Sequence, residues 1–324
     1  MTIRSRVVGI GSFLPERIST NDDMAKIVET SDAWIVERTG IRVRHFADEN
    51  THTSTMAVKA AEEALAMAGM TGDDLDAIVV GTVTPDKTFP ATAVYVQAAL
   101  GMKHGFAFDV VAACSGFLYS LRTADNMIRL GQAKTVLVVG SEKVSSVTDF
   151  TDRNTCVLFG DGAGCVILKA EEGKGDISDR GVLDTLIYSD GTFAPELCST
   201  GGASTNHEVG YVSMNGREVF RHAAVNMSDV SLEILEKNGV SLDDVDWLVP
   251  HQANIRIIEA TAKRLNVSMD KVIATVDRHA NTSAASIPLA LADGVKEGKL
   301  KEGQLLLLPG MGSGFTWGAS LIRL

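Results

Sequence analysis

The chain has 324 residues, 45% of them hydrophobic and 22% charged, so it has enough apolar side chains for a large folded core. Its formal net charge of −11 opposes a general attraction to nucleic acid or to anionic membrane, and we expect neither as a partner. No apolar run reaches the length of a membrane-spanning helix, and the first residues lack the pattern of a secretory signal. These features predict a cytoplasmic globular protein.

The cysteines argue against a disulfide scaffold and against a zinc protein. They form no CxxC pair and lack zinc-ligand spacing, so the sequence predicts free thiols and no metal site. The four are Cys114, Cys156, Cys165 and Cys198.

Strand-like apolar runs alternate with helical patterns along the chain, which is typical of buried strands in an α/β protein. In chain order the runs are DAIVVGTV (76–83), KTVLVVG (134–140), GCVILKA (164–170), DWLVPH (246–251) and QLLLLPG (304–310).

An internal repeat joins the first and fourth of these runs. AGMTGDDLDAIVV (68–80) matches NGVSLDDVDWLVP (238–250) at an offset of 170, and TVLVVG (135–140) lies over QLLLLP (304–309) at nearly the same offset. The shared order of the matches predicts two similar halves that arose by duplication. We place the boundary near 170–180, which gives halves of 1–173 and 174–324.

Cys114 stands in FDVVAACSGFLYSL (108–121), where a strand-like run gives way to a largely apolar helix. A thiol at the start of a helix receives the helix N-terminal field, which favours the reactive thiolate by lowering the thiol pKa. The position is therefore a candidate nucleophile, and the alternative is a small cysteine that only fills the core.

His251 and Asn281 are two further candidates. His251 closes the strand-like run DWLVPH, and Asn281 precedes small residues and a helix in NTSAASIPLALADGVK. We expect both at the ends of strands, where α/β folds place reactive groups. Taken separately, each is also explained structurally, by a satisfied buried histidine or by a helix cap.

Two glycine-rich stretches, GDGAG (160–164) and GMGSG (310–314), lead into strand-like runs. A phosphate loop would instead open a helix. The sequence therefore favours close backbone approach to a buried site over nucleotide binding.

Together AACSGF (112–117), PHQAN (250–254), NTSAAS (281–286) and GFTWGA (314–319) resemble the thiolase-like condensing enzymes, and among them the β-ketoacyl-acyl-carrier-protein synthase III family. The resemblance covers the whole chain, including TSDAWIVERTGIR (30–42) and FGDGAG (159–164). It implies a five-layered αβαβα fold of two duplicated halves and a homodimer.

The resemblance also implies a reaction, that of the initiating condensing enzyme of type II fatty acid synthesis. Cys114 would take a short acyl group from acyl-CoA, and His251 and Asn281 would bind the thioester oxygen of malonyl-acyl-carrier-protein. Decarboxylation creates an enolate whose oxygen needs two donors, and the carbanion then attacks the acyl group on sulfur. No cofactor is implied, because acyl-CoA is a substrate.

Further site residues come with the resemblance. Backbone N–H groups of Cys114 and Ser313 would form the oxyanion hole. Phe89, reaching across the dimer, and Met311 would shape the primer pocket. The residues implied for coenzyme A are Thr30, Trp34, Arg38, Arg153 and Arg256.

A basic surface is expected for docking the acidic carrier protein, because the chain as a whole would repel it. Arg256 and Lys263 are seven residues apart on one helix face, with Arg264 beside them. Arg217 and Arg221 join this surface if their segment is helical and lies alongside.

Three positions depart from the family pattern. Ala280 and Ser313 stand where glycine is usual, and Met311 stands where phenylalanine is frequent. Because a positive φ is strained for alanine, we expect an ordinary backbone at Ala280.

Several alternatives remain. A papain-like hydrolase shares the Cys, His, Asn order but lacks the expected cysteine signature. A degradative thiolase would need a second cysteine in GMGSG, and an elongating synthase a histidine at Asn281. An inactive acyl-binding module would not keep all three reactive positions, whereas a synthase III paralogue with an unusual primer would.

Overall fold

The computed structural model describes residues 2–324. The β-strands are β1 (Thr2–Phe13), β2 (Ile18–Thr20), β3 (Val43–His45), β4 (Ala77–Gly81), β5 (Phe106–Val110), β6 (Thr135–Lys143), β7 (Asp161–Gly173), β8 (Gly181–Ser189), β9 (Leu197–Ser199), β10 (Val212–Met214), β11 (Trp247–Leu248), β12 (Leu305–Gly312) and β13 (Thr316–Arg323). The α-helices are α1 (Asn21–Ala25), α2 (Asp32–Thr39), α3 (Thr53–Ala68), α4 (Thr92–Ala99), α5 (Gly116–Arg129), α6 (Gly216–Lys237), α7 (Ile255–Leu265), α8 (Val276–His279) and α9 (Ser286–Lys296).

The main strands follow the order β11-β12-β13-β8-β1-β7-β6-β4-β5. A single residue pair, Ser5 with Val182, joins β1 to β8 and connects two groups of strands. Val272 extends the second group by bridging to Leu248 beyond β11. The first group is β1-β7-β6-β4-β5, and the second is β8-β13-β12-β11 followed by Val272. If the strands of each group are numbered in chain order, both groups have the order first, fifth, fourth, second, third. The shared order agrees with a duplicated chain.

The sequence repeat is reproduced in detail. Helices α3 and α6 each end near a glycine in the left-handed conformation, Gly69 and Gly239. The backbone N–H of Asp76 donates to the Thr135 carbonyl at 2.9 Å, and that of Asp246 donates to the Leu305 carbonyl at 2.9 Å. Each aspartate carboxylate also accepts a backbone N–H from the same neighbouring strand. The matched aspartates thus fix equivalent strand pairs, β4 with β6 and β11 with β12.

Three apolar clusters separate the layers. The central cluster contains α5 and α9 and the facing residues of both groups of strands. A second cluster packs α3 and α4 on the outer side of the first group, and a third packs α6 and α7 on the outer side of the second. The order is helix, sheet, helix, sheet, helix, so the predicted five-layered αβαβα fold is confirmed.

The two glycine-rich stretches lead into strands, as expected. GDGAG runs into β7, and GMGSG spans the end of β12 and the turn before β13. The division into 1–173 and 174–324 stays a prediction, and residue 173 is the last residue of β7.

A helix that crosses a membrane must be both long and apolar. Across residues 2–324, none is both long enough and apolar enough to cross a membrane.

Candidate active site

Cys114 lies at the corner between β5 and α5, in a short 3₁₀ turn (Ala113–Ser115) that leads into the helix. Ala113 has a positive φ of 46°. The Ser115 hydroxyl donates to the Thr316 carbonyl at 2.9 Å, and the Thr316 hydroxyl donates to the Ala112 carbonyl at 3.0 Å. These bonds attach the corner to β13 and hold the strained turn in place.

The Cys114 thiol is not activated in the way that the sequence suggested. Burial raises its pKa to about 12, and the negative charge of Glu142 acts in the same direction. Loss of solvent around the sulfur is the largest of these effects, so the thiol pKa is raised in the resting site and not lowered as expected. The resting residue is a neutral thiol.

The GMGSG turn packs directly on this corner. A Cβ added to Gly312 would lie 2.6 Å from the Cys114 nitrogen, so only glycine fits there. Ser313 follows, and its hydroxyl donates to the Leu197 carbonyl. The backbone after Gly312 therefore runs beside the thiol.

His251 follows β11 and is buried, with 3% of its surface exposed. Its Nδ1 lies 2.6 Å from the Ser286 hydroxyl at the start of α9. Burial lowers the pKa of His251 to about 4, so the ring is neutral at physiological pH. Gln252 stabilises the turn by donating to the carbonyls of Pro250 and Ile273.

Asn281 follows the short helix α8, so its expected position at a strand end is wrong. It forms a single bridge with Phe159, in which the Asn281 N–H donates to the Leu158 carbonyl at 2.9 Å. The Oδ1 atom accepts the Ser283 N–H at 2.9 Å, which leaves the amide NH₂ as the side-chain donor available to a ligand.

The backbone of Ala280 is strained, contrary to the expectation from the sequence. Its φ is 58° and its ψ is −163°, not an ordinary backbone. The Ala280 N–H still closes α8 by donating to Val276, and the next residue already bridges to Phe159. One residue must turn the chain from helix to bridge, and that requires the strained conformation.

All three candidate residues line one cavity of about 660 Å³, and Met311 and Ser313 line it as well. A second cavity of about 330 Å³ lies next to it. We call the first the inner cavity and the second the outer cavity. Leu158, Phe220 and Asn254 line both cavities, so the two spaces meet. The arrangement is a largely apolar chamber holding a thiol, a neutral imidazole and an amide, with an approach from the surface.

The chain is similar to known proteins over its whole length. The family models described as 3-oxoacyl-[acyl-carrier-protein] synthase III and as the C-terminal part of that enzyme match residues 108–191 and 235–324. A curated β-ketoacyl-[acyl-carrier-protein] synthase III from Paramagnetospirillum magneticum is 56% identical over 324 residues, covering 100% of both chains. The chain belongs to the synthase III family. It is an acyltransferase of the condensing-enzyme type.

Other relatives agree. A synthase III from Rhodospirillum centenum is 55% identical and covers 100% of both chains. The crystal structure of the synthase III from Aquifex aeolicus has a TM-score of 0.93 at 47% identity, with 99% of this chain and 100% of that chain covered. The priming β-ketosynthase of a polyketide pathway has the same TM-score at 32% identity, with 100% and 97% covered.

In this synthase III chain, the residues predicted for coenzyme A gather at the outer cavity only in part. Trp34, Arg38 and Arg256 line it. Arg153 does not, but its guanidinium carbon lies 5.2 Å from the centre of the Trp34 ring, and that of Arg38 lies 4.6 Å away. Thr30 lies outside the lining, and its hydroxyl is buried without a partner.

Phe89 is 82% exposed and does not line the cavity of its own chain. Val83, Val111 and Val209 do line it, and each is also exposed at the surface. Phe106 is also exposed, at the start of the edge strand β5. The inner cavity thus opens onto an apolar surface.

The predicted docking residues divide into two groups. The segment of Arg217 and Arg221 is helical, as expected, and Arg256 on α7 lies over the Phe220 ring of α6. Arg217 and Arg256 line the outer cavity. Arg221 pairs with Glu218, and Arg264 binds Ser228 and Asp229, so these two side chains are already engaged.

Lys263 is exposed and makes no ion pair within residues 2–324. Glu259, also exposed on α7, lies between Arg256 and Lys263 in the sequence and weakens the basic character of this face. The sequence interpretation overlooked it.

Three further site residues were also missed. Glu142, Ser283 and Ser286 are buried next to the reactive groups. A glutamate at the end of the apolar run TVLVVGSEK is a recognisable signal, since charged residues are seldom fully buried without a reason. The serines of NTSAAS carried no signal beyond their small size.

Proposed function

We propose that this chain transfers a short acyl group from acyl-CoA to Cys114 and condenses it with malonyl-acyl-carrier-protein, releasing coenzyme A and CO₂. The observation that carries the proposal is the meeting of Cys114, His251 and Asn281 in one apolar chamber. Relatives named for this activity, at 56% identity over the full length, support it.

The first half-reaction takes place at Cys114. The sulfur attacks the acyl thioester, and the negative charge develops on the carbonyl oxygen. The N–H groups of Cys114 and Ser313 are the proposed donors to that oxygen, supported by the contact between the GMGSG turn and the corner before α5.

The second half-reaction takes place at His251 and Asn281. Asn281 offers its NH₂ group because Oδ1 is already bonded. We assign the hydroxyl proton of Ser286 to the bond with Nδ1 of His251, which leaves Nε2 of the ring carrying a proton. Two neutral donors then stabilise the enolate oxygen left by decarboxylation.

Coenzyme A would enter through the outer cavity. We propose that its adenine inserts between Trp34 and Arg153, replacing the present contact between them by two stacked contacts. Arg38 and Arg256 would bind the phosphates, and Thr30 would contribute its unpartnered hydroxyl.

A homodimer would complete the primer pocket. The exposed Phe89 does not line the inner cavity of its own chain, whereas that cavity opens among exposed valines. We propose that Phe89 of one protomer closes that opening in its partner. Exposed apolar residues beside the edge strand β5 support this assembly.

Carrier protein would dock at the mouth of the outer cavity. Of the predicted residues, we retain Arg217, Arg256 and Lys263 as the main contacts, because Arg221 and Arg264 are neutralised by neighbouring acids. We further propose that the reaction needs no cofactor, and that it takes place in the cytoplasm.

The second candidate function is that of a synthase III paralogue which starts a specialised product from an unusual primer. The polyketide priming enzyme, 32% identical and with the same TM-score as the Aquifex aeolicus synthase III, is the observation in its favour. Higher identity to synthase III relatives favours the first candidate.

The experiment that separates the candidates is a competition among acyl-CoAs. The protein is incubated with an equal mixture of short, branched and long acyl-CoAs, and the acyl group on Cys114 is identified by mass. A short straight acyl group supports the initiating synthase, whereas selective retention of another primer supports the paralogue. Acylation at a residue other than Cys114 would overturn both.

A further inference from the structure

Glu142 is a fully buried carboxylate at the end of β6, with 0% of its surface exposed. It accepts hydrogen bonds from the Thr82 hydroxyl at 3.0 Å, the Val83 N–H at 3.1 Å, and the Thr84 hydroxyl and N–H at 2.6 Å and 3.1 Å. The Ser283 hydroxyl donates to Oε1 at 3.1 Å. No lysine or arginine pairs with it within residues 2–324.

Ser283 stands between this carboxylate and the nucleophile. Its hydroxyl donates to Glu142 Oε1 at 3.1 Å and lies close enough to the Cys114 thiol to lower the pKa of that thiol. Its N–H holds Asn281, and its positive φ of 50° marks a strained backbone. A strained residue that touches a buried acid, the nucleophile and the amide donor is typical of a site held for function.

The surrounding elements contribute few other titratable groups. His251 lies across the cavity and is held at Nδ1 by Ser286. Lys143, the next residue along β6, is engaged by the carbonyls of Asp48 and Thr51. The loop of Thr82 and Thr84 offers hydroxyl and N–H donors to Glu142.

We propose that Glu142 accepts the Cys114 proton through the Ser283 hydroxyl when the thiol attacks its substrate. The S–H donates its proton to Ser283 Oγ as the Ser283 O–H passes its own proton to Glu142 Oε1. A thiolate and a neutral carboxylic acid result. This inference rests on the proposed role of Cys114 as nucleophile.

The transfer leaves the net charge of the buried site unchanged. Forming a thiolate beside an ionised Glu142 would instead put two anions in a space without solvent. Burial raises the pKa of Glu142 to about 7, so the carboxylate is a suitable acceptor near neutral pH. His251 is a poorer acceptor, because burial lowers its pKa to about 4.

The proton returns at the end of the cycle. The thiolate forms a bond to the acyl carbon, the bond from that carbon to the coenzyme A sulfur breaks, and the leaving thiolate takes a proton from water. Condensation later breaks the bond between the acyl group and Cys114. The released Cys114 thiolate then regains its proton from Glu142 through Ser283.

The test is the rate at which iodoacetamide alkylates Cys114, measured from pH 5 to 10 on Glu142→Gln, Ser283→Ala and unmodified protein. We expect both variants to react at least tenfold more slowly at pH 7.5, and to lose the part of the pH profile that follows Glu142 ionisation. Thr82→Val removes one bond that lowers the Glu142 pKa but leaves the relay groups in place, so it should keep the reaction and move the Glu142 step of the profile to higher pH.

If Glu142 acts only as a nearby negative charge, Glu142→Gln will lower the Cys114 pKa and speed alkylation. Equal or faster alkylation in a folded variant overturns the relay, and if Glu142→Gln does not fold, Ser283→Ala decides alone. Alkylation needs neither acyl-CoA nor carrier protein, so this result is independent of whether Cys114 is acylated.

Discussion

The Ser286 hydroxyl and Nδ1 of His251 lie 2.6 Å apart, and the same hydroxyl accepts the Gln252 N–H at 3.3 Å. The serine begins α9 in the central layer, whereas the histidine follows β11. The contact therefore links the central layer to the strand that carries the proposed malonyl-binding group. It also fixes which ring nitrogen faces the substrate.

Ser286→Ala should slow decarboxylation of malonyl-acyl-carrier-protein about tenfold, equivalent to ~1.4 kcal/mol, because the ring loses its orienting partner. Transfer of the acyl group from acyl-CoA to Cys114 should be unchanged. The two half-reactions are measured separately, as CO₂ release and as protein mass. Ser231→Ala, a buried serine on α6 bonded to the Met227 carbonyl, is the matched control.

The division of roles between the three site residues gives a second prediction. Cys114→Ala should abolish acyl transfer and condensation but retain some malonyl decarboxylation. His251→Ala and Asn281→Ala should lower the decarboxylation by about 100-fold, since each removes one donor to the enolate. A Cys114→Ala protein with normal turnover and an acyl group on another residue would contradict the assignment.

Glu142 gives a prediction about stability and pH. Its pKa is raised from 4.5 to about 7 in the fold, so the folded state binds the proton more tightly than the unfolded state. The stabilisation is complete below about pH 4.5 and is lost as the pH rises through 7. The limit is about 3 kcal/mol, at ~1.4 kcal/mol per pKa unit.

His251 acts in the opposite direction, because its lowered pKa makes the folded state lose stability as the pH falls from 6.5 towards 4. Comparison with Glu142→Gln isolates the glutamate. Urea unfolding at pH 5 and pH 8, at one protein concentration, should show a larger loss of stability with rising pH in the unmodified protein. Equal losses in the two proteins would contradict the assigned pKa.

Ala280→Gly should stabilise the fold by about 1 kcal/mol, because glycine adopts a φ of 58° without strain. The change removes only a buried methyl group. Thermal unfolding measures the effect, and Ala284→Gly, at a neighbouring buried alanine in the 3₁₀ turn before α9, should destabilise instead.

The sequence was sufficient for the parts of the molecule that depend on periodicity and repetition. The repeat that contains Asp76 and Asp246 predicted two similar halves, and the two matched segments do form equivalent strand pairs. Residues quoted for the resemblance, Cys114, His251 and Asn281, meet although they are far apart in the chain. A shared family pattern carries such long-range information, whereas composition does not.

Other features depend on three-dimensional burial and could not be predicted from neighbouring residues. The pKa of Cys114 is set by solvent loss and by Glu142, which lies 28 positions away in the sequence. The φ of Ala280 follows from the bridge that the next residue, Asn281, forms with Phe159, more than 100 positions earlier in the chain. The ion pair between Arg264 and Asp229 could not be predicted either, because the two residues lie on different helices, α7 and α6.

Lys263 provides the clearest test of carrier-protein docking. It is an exposed cation on α7 with no ion pair within the described chain, and it does not line the outer cavity. Arg256 and Arg217 do line that cavity, so changing them would also affect coenzyme A. We expect Lys263→Glu to raise the KM for malonyl-acyl-carrier-protein about fivefold to tenfold at low salt, since it places a negative charge against an acidic partner.

The effect should shrink as salt is added, because exposed charges are screened over about 10 Å at 0.1 M ionic strength. The KM for acyl-CoA should not change. Lys301→Glu carries the same charge change on an exposed residue before the first residue of β12, whereas the active site lies at the other end of that strand. A KM for carrier protein that rises equally in both variants would mean that net charge, and not docking on α7, is responsible.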